Sequence, residues 1–492
     1  MIQLQRINRV SSVMCLIVLG TLLGAAQVKE WNQIQAPPLP PFHPQQPIRV
    51  QLPNGMVIFL QEDHELPLIT AVAQLRGGTI YAPANKSGLV SMYGEVWRTG
   101  GTKTKTGDQM DDFLEVRAAK IETSGSAEST SIAFDCLKGD FEAVFDMYLD
   151  LLHNPEFRAD KLELAKQQMY TAISRRNDNV DSIVSRESGK IAYGKDNPYA
   201  RVPEYATVAA VTRDDLLNWH KQYVQPNNII FGISGDFDPK AMEAKLRQAF
   251  ESWPKGPAAT GPDVKFTDPA PGYYLVKKSD VNQSSINMVS LGIRRDNPDY
   301  YAVSVMNEIL GGGFSSRLFN NIRATQGLAY NVGGEVGTSF SHPGLTEIEM
   351  QTKSASTVEG IKALYKEIDD MHANAATPAE LKRAKDQILN SFIFRFDTPE
   401  KVLREKMQYE FYHYPLDFLE RYRAQVEKVT AEDVTRVARK YLHKESLAVL
   451  VVGAAEDFDK PLSSLGVVQN VDITIPPPPA SLMGGAESPG DH

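Results

Sequence analysis

The chain repeats itself once, and that repeat limits its fold more than any other feature. VTRDDLLNWHKQYVQPNNIIFGISG, beginning at Val211, lies without a gap over VTAEDVTRVARKYLHKESLAVLVVG, beginning at Val429. Val211, Thr212, Asp215, Lys221, Tyr223 and Gly235 meet Val429, Thr430, Asp433, Arg439, Tyr441 and Gly453. At nearly the same offset LELAKQQM, from Leu162, meets LKRAKDQI, from Leu381. A period above two hundred residues is too long for a stacked solenoid and indicates a duplicated domain. Each copy mixes short strand-like runs with long 3.6-periodic helical runs. The fold expected is α+β: two duplicated domains, each with helices packed on a mostly antiparallel sheet, facing across a cleft where a ligand binds.

The first copy spans 48–253. It opens with IRVQLPNGMVIFLQED, two strands about an Asn54-Gly55 turn. In SGLVSMYGEVWRTGG, Leu89, Met92, Tyr93 and Val96 fall at helical spacing and Gly100-Gly101 stops the helix. PKGPAATGPDVKFTDPAPG breaks all periodicity and reads as a linker, 254–272. The second copy spans 273–460, and the Pro- and Gly-rich end of the chain predicts a disordered tail over 461–492.

Residues 1–26 have the order of a secretory signal: Arg6 and Arg9, the apolar run VMCLIVLGTLLGAA, and small residues at its end. A Pro-rich extended linker, 27–47, follows. The expectation is an exported protein of the periplasm or cell envelope, with an uncleaved anchor as the alternative and no other stretch able to span a bilayer. Removal of the signal takes Cys15 with it, leaving Cys136 alone in the alternating strand SIAFDCL as a buried structural thiol. A net charge of −9 without a basic stripe argues against nucleic acid or an anionic membrane surface as partner.

LGGGFSSRLFNNIRATQGLAYNVGG, from Leu310 to Gly334, carries a glycine triplet, Gly311, Gly312 and Gly313, and places Arg323 seven residues before Tyr330. No Gly-Lys-Ser/Thr follows, so it is not a nucleotide loop. Taken alone, the glycines read as a helix C-cap and packed loop, Arg323 as a helix-surface residue and Tyr330 as strand core. The glycines also let backbone pass close to a ligand, a partner or a packed strand.

This motif is close to the second-domain signature of the pitrilysin/insulinase family of zinc peptidases, in the compact form of the mitochondrial processing peptidase, and the chain resembles that family over roughly 48–460. The resemblance implies two related α+β domains, paired with a second chain into a closed chamber, with zinc in the first domain. It also implies that Arg323 and Tyr330 grip peptide from the second.

The zinc half of the pattern is missing. Family members carry His-x-x-Glu-His on an early helix, two ligands and a general base on one face, with a third ligand, a Glu, on a later helix. Here SGLVSMYGEVW puts Ser91 and Glu95 where the histidines stand and Gly94 where the base stands. The later helix offers Ala172, or Thr171 in a shifted register, for the third ligand. Glu95 alone cannot hold zinc against water or cage a hard cation such as calcium, and Gly94 takes no proton. The nine histidines are scattered without ligand spacing. There is no Gly-x-Ser-x-Gly elbow, Ser315-Ser316 lacks a partner base, and Cys136 lacks a basic neighbour.

The reading that results is a non-catalytic subunit that binds a peptide or unfolded protein substrate through Arg323, Tyr330, Gly311, Gly312 and Gly313. It holds no cofactor itself, and zinc is expected in a partner chain, a heterodimeric family member. The alternatives are a peptide-binding or scaffold protein without part in proteolysis, and an active zinc endopeptidase with unusual ligands.

Overall fold

The computed structural model describes residues 44–483, so the signal segment 1–26 and most of the 27–47 linker lie outside the described residues. The N-terminal half forms a six-stranded sheet from β1 (Ile48–Gln51), β2 (Val57–Glu62), β3 (Leu68–Arg76), β4 (Lys120–Gly125), β5 (Ser129–Leu137) and β6 (Ile229–Gly235), in the order β1-β2-β6-β3-β5-β4. The C-terminal half forms another from β7 (Gly272–Lys277), β8 (Gln283–Leu291), β10 (Ala329–Glu335), β12 (Leu345–Lys353), β13 (Ala448–Gly453) and β14 (Val468–Asn470), in the order β10-β12-β8-β13-β7-β14. Short β9 (Ile293–Arg294) and β11 (Thr338–Ser339) pair apart from it. Only β2–β6 is parallel in the first sheet, and only β13–β7 and β7–β14 in the second.

The helices of the first half are α1 (Leu89–Thr99), α2 (Gly107–Glu115), α3 (Phe141–His153), α4 (Ala159–Ser174), α5 (Val180–Tyr193), α6 (Tyr205–Ala209), α7 (Arg213–Tyr223) and α8 (Pro239–Phe250). Those of the second are α9 (Tyr300–Leu310), α10 (Thr357–Ala373), α11 (Pro378–Phe392), α12 (Pro399–Tyr412), α13 (Phe418–Lys428), α14 (Ala431–Tyr441) and the short α15 (Ala480–Met483). The α+β duplication expected from the repeat is present. Thr212 and Thr430 open α7 and α14 with the same capping box, each closed by the Asp three residues on. Each helix then leads to a strand near the middle of its sheet, β6, buried but for its last residue, or β13, buried throughout.

One face of the first sheet packs Ile58, Leu60, Ile69 and Phe231 against Tyr93 and Trp97 of α1 and Phe145 and Tyr148 of α3. Its other face is partly covered from the opposite half: Leu403, Met407 and Phe411 of α12 pack on Val57, Phe59 and Ile230. The exchange is mutual, since Ile183 and Ala192 of α5 pack on Val276, Leu450 and Val452 and on Val289 and Ala448 of the second sheet. Both halves therefore share cores.

The expectation of a disordered tail over 461–492 is corrected over its described part. β14 pairs with β7, Val471 and Ile473 pack beside α5, Asn177 donates to the Ile473 carbonyl at 2.7 Å, and Ile475 reaches the core of the first half. Val471, Ile473 and Ile475 alternate, and that alternation gives the segment one apolar edge despite its prolines. Residues 254–271 contain neither helix nor strand, and Phe266 there stacks on His342 with ring centres 5.6 Å apart. Cys136 lies buried on β5, and burial pushes its thiol up to about 12.

Candidate functional site

In the first half, α1 presents Leu89, Met92, Tyr93, Val96 and Trp97 to the core, which turns Ser91 and Glu95 outward together, one turn apart. Partial burial raises the Glu95 carboxyl above its ordinary value. Helix α4 lies against α1, with the Met169 sulfur beside Gly88 at the start of α1. Thr171 and Ala172 are exposed on α4. The elements that would carry three zinc ligands are thus adjacent, but their side chains do not fit the ion: a hydroxyl, one carboxylate and a methyl make no zinc site.

At Gly94, where the resemblance would put the general base, the space is filled by the protein's own backbone. A Cβ there would stand 2.5 Å from the Gly125 nitrogen and 2.7 Å from the Ser124 carbonyl carbon, both backbone atoms of β4. Thr123 of β4 donates its hydroxyl to the Gly94 carbonyl. Gly125 in turn packs against Val90 of α1, its missing Cβ 2.5 Å from the Val90 oxygen. Helix and edge strand meet backbone to backbone, and a glutamate cannot enter without driving them apart. Among the described residues no group of three or more His, Cys, Asp or Glu side chains is placed to hold a metal ion.

In the second half, α9 is the counterpart of α1, and Gly311 caps it. A Cβ on Gly311 would stand 2.3 Å from both the nitrogen and the oxygen of Gly334 on β10, so this glycine serves a packed strand. A Cβ on Gly312 would meet the Glu308 carboxylate at 2.5 Å. Gly313 has φ +89 and open space around it, which frees the loop to turn outward and leaves Phe314 78% exposed. Buried Ser316 donates to the Gly313 carbonyl at 2.7 Å and closes the turn.

The loop then enters a short π-type helix, Phe319–Thr325, followed directly by β10, the edge strand of its sheet. This wide turn brings Arg323 and Tyr330 together: the Arg323 guanidinium lies 5.0 Å from the Phe319 ring centre and 5.8 Å from that of Tyr330. Tyr330 is 71% exposed, so the strand-core alternative for it does not hold. Neither the guanidinium nor the Tyr330 hydroxyl has a hydrogen-bond or ion-pair partner among the described residues.

Two features of this site escaped the sequence. Arg317 anchors the loop, donating to both Glu380 oxygens at 2.8 and 3.1 Å and approaching the carbonyls of Asp370, Asn374 and Ala375. Burial works to raise the Glu380 carboxyl, but hydrogen bonds from Arg317 and Thr377 outweigh it and hold it down at about 2. The one sequence trace of this anchor is the capping signal Thr377-x-x-Glu380. The second feature is acidic: Glu308, Glu335, Glu347 and Glu349 line a cavity of 490 Å³ together with Gly311, Gly312, Gly333 and Gly334. Burial raises the carboxyls of Glu308, Glu335 and Glu349.

Fold and site together define a peptidase-like protein. The chain belongs to the insulinase family, peptidase family M16, whose profile matches residues 58–201, while that of the peptidase M16 inactive domain matches 210–388. It is similar to the non-peptidase homolog YmxG of Helicobacter pylori, 24% identical over 80% of this chain and 91% of that one. An uncharacterized zinc protease of Mycobacterium leprae is 24% identical over 70% of this chain and 78% of its own length. Among solved structures, a peptidase M16 inactive domain from Pseudomonas fluorescens superposes with a TM-score of 0.74 at 24% identity, covering 83% of this chain and all but 2% of that one (98%). The periplasmic protease PqqL of Escherichia coli superposes with a TM-score of 0.71 at 14% identity, over 86% of this chain and 48% of that one. No helix among the described residues is long and apolar enough to cross a membrane.

Proposed function

We propose that this chain is an exported, non-catalytic peptidase-like subunit that binds peptide and completes the chamber of a zinc metallopeptidase carried by a partner chain. The observation that carries the reading is the contrast between its halves. At Gly94 the place of the base is occupied by β4 backbone, whereas Arg323 and Tyr330 stand together, unspent, at the start of edge strand β10. Arg323 offers charge-assisted hydrogen bonds to peptide oxygens and Tyr330 a hydroxyl donor. Donors that hold the peptide in place for a metal centre on another chain supply positioning, so a chain without metal still contributes to catalysis by another. The glycine loop and its anchor at Arg317 hold the peptide's neighbouring residues, and zinc belongs to the partner. The name of the Helicobacter relative, a non-peptidase homolog, supports the absence of catalysis.

The test mixes the purified mature chain with a family member that carries intact His-x-x-Glu-His. Cleavage of a reporter peptide by the mixture, reduced by Arg323→Ala or Tyr330→Phe in this chain, is the expected result. Full activity of the zinc-bearing chain alone, unaltered by this one, leaves a peptide-binding or scaffold protein instead.

A further inference from the structure

The peptide-binding reading of Arg323 and Tyr330 is the premise for naming a ligand class. We infer that this site takes the free C-terminal carboxylate of a peptide whose last residue is aromatic or large and aliphatic.

The first ground is the state of Arg323. Six residues earlier, Arg317 spends its guanidinium on Glu380 and three carbonyls, whereas among the described residues half-buried Arg323 has only the faces of Phe319 and Tyr330. A partly desolvated cation without a counter-charge is costly, and ring faces recover only part of that cost. The rings restrain the guanidinium while leaving its N–H donors unspent, and those donors match a carboxylate in paired fashion. A mid-chain carbonyl uses one donor and leaves the charge unmatched.

The second ground is Phe314. It is a large apolar side chain left 78% exposed on the loop turned outward by Gly313, yet it is held edge-on to Phe319 with ring centres 5.0 Å apart. Phe319 therefore touches both Phe314 and Arg323, so an apolar ledge and an unpaired cation lie side by side. A terminal residue fits this pair, with its carboxylate on Arg323, the Tyr330 hydroxyl in reach, and its side chain on Phe314. Glu308 and Glu335 crowd the cavity at Gly311 and Gly312, where a carboxylate is repelled, and none of them is paired with Arg323.

Fluorescence polarisation on the full mature chain tests this with one labelled peptide sequence made in three forms: ending in Phe as the free acid, ending in Phe as the amide, and ending in Ser as the free acid. The Phe acid is expected to bind about tenfold or more tighter than the Phe amide, the gain of a charge-assisted pair. Arg323→Gln brings the acid down to the level of the amide, and Phe314→Ala weakens the Phe acid but not the Ser acid. Equal affinity for acid and amide, with both lost in Arg323→Gln, overturns the inference while leaving peptide binding in place. Failure of every form to bind the folded protein overturns the peptide-binding premise, and the inference with it.

Discussion

Replacing Gly94 by alanine sets two effects against each other, and their sizes decide the outcome. Alanine in mid-helix is worth about 1 kcal/mol over glycine, so propensity alone makes the variant more stable. The new methyl, however, arrives 2.5 Å from the Gly125 nitrogen and 2.7 Å from the Ser124 carbonyl carbon. Ordinary contact needs about 3.5 Å, so β4 must retreat by about 1 Å. Neither obstacle is a side chain that can rotate away. Overpacking of this kind costs about 1–3 kcal/mol, and the Thr123 hydrogen bond to Gly94, stretched by the same retreat, adds about 1. The balance is a loss of about 1–3 kcal/mol, read as a lower urea midpoint. Ser91→Ala, on the exposed side of the same helix, is the control and stays within about 0.5 kcal/mol of the parent. A Gly94→Ala protein as stable as the parent or more so refutes the claim that β4 backbone fills the base position.

Three other perturbations reach different parts of the account. His220 accepts from the Tyr93 hydroxyl at Nδ1 (2.9 Å) and donates from Nε2 to the Leu152 carbonyl (3.0 Å), and its burial lowers its pKa to about 4. The unfolded chain thus binds the proton first: this stability is complete above about pH 6.5, falls as pH drops through that value, and is gone near pH 4, a span of about 3 kcal/mol. His220→Gln should flatten the unfolding midpoint over that window, and an unchanged slope contradicts the assignment. Arg317→Met leaves the Glu380 charge without its main partner and should cost about 2 kcal/mol, with weaker peptide binding; unchanged binding separates loop anchoring from the site. Truncation after Leu465 removes β14 and half-buried Val471, Ile473 and Ile475, and about 3 kcal/mol of stability is lost by calorimetry, where a free tail costs nothing.

The duplication was legible because it is written twice in capping chemistry, Thr212 with Asp215 and Thr430 with Asp433, and in two buried strands at one spacing. Helix α1 was legible from its periodicity, and the pairing of Arg323 with Tyr330 from their spacing in a family motif. The exchange of helices was not: the apolar stripes of α5 and α12 say that each packs, but not on which sheet. Composition concealed β14, since prolines and glycines outweighed the alternation of Val471, Ile473 and Ile475. Gly94 was read as a missing base, while the reason for a glycine, the backbone of β4, lies thirty residues further along the chain. The Arg317–Glu380 anchor spans sixty-three residues, beyond any local pattern.

The most direct measurement is metal content together with peptide cleavage by the purified mature chain, alone and then mixed with a His-x-x-Glu-His relative. The account predicts no stoichiometric zinc and no cleavage by the chain alone, and cleavage in the mixture that falls with Arg323→Ala. One zinc per chain, with cleavage in the absence of any partner, contradicts it.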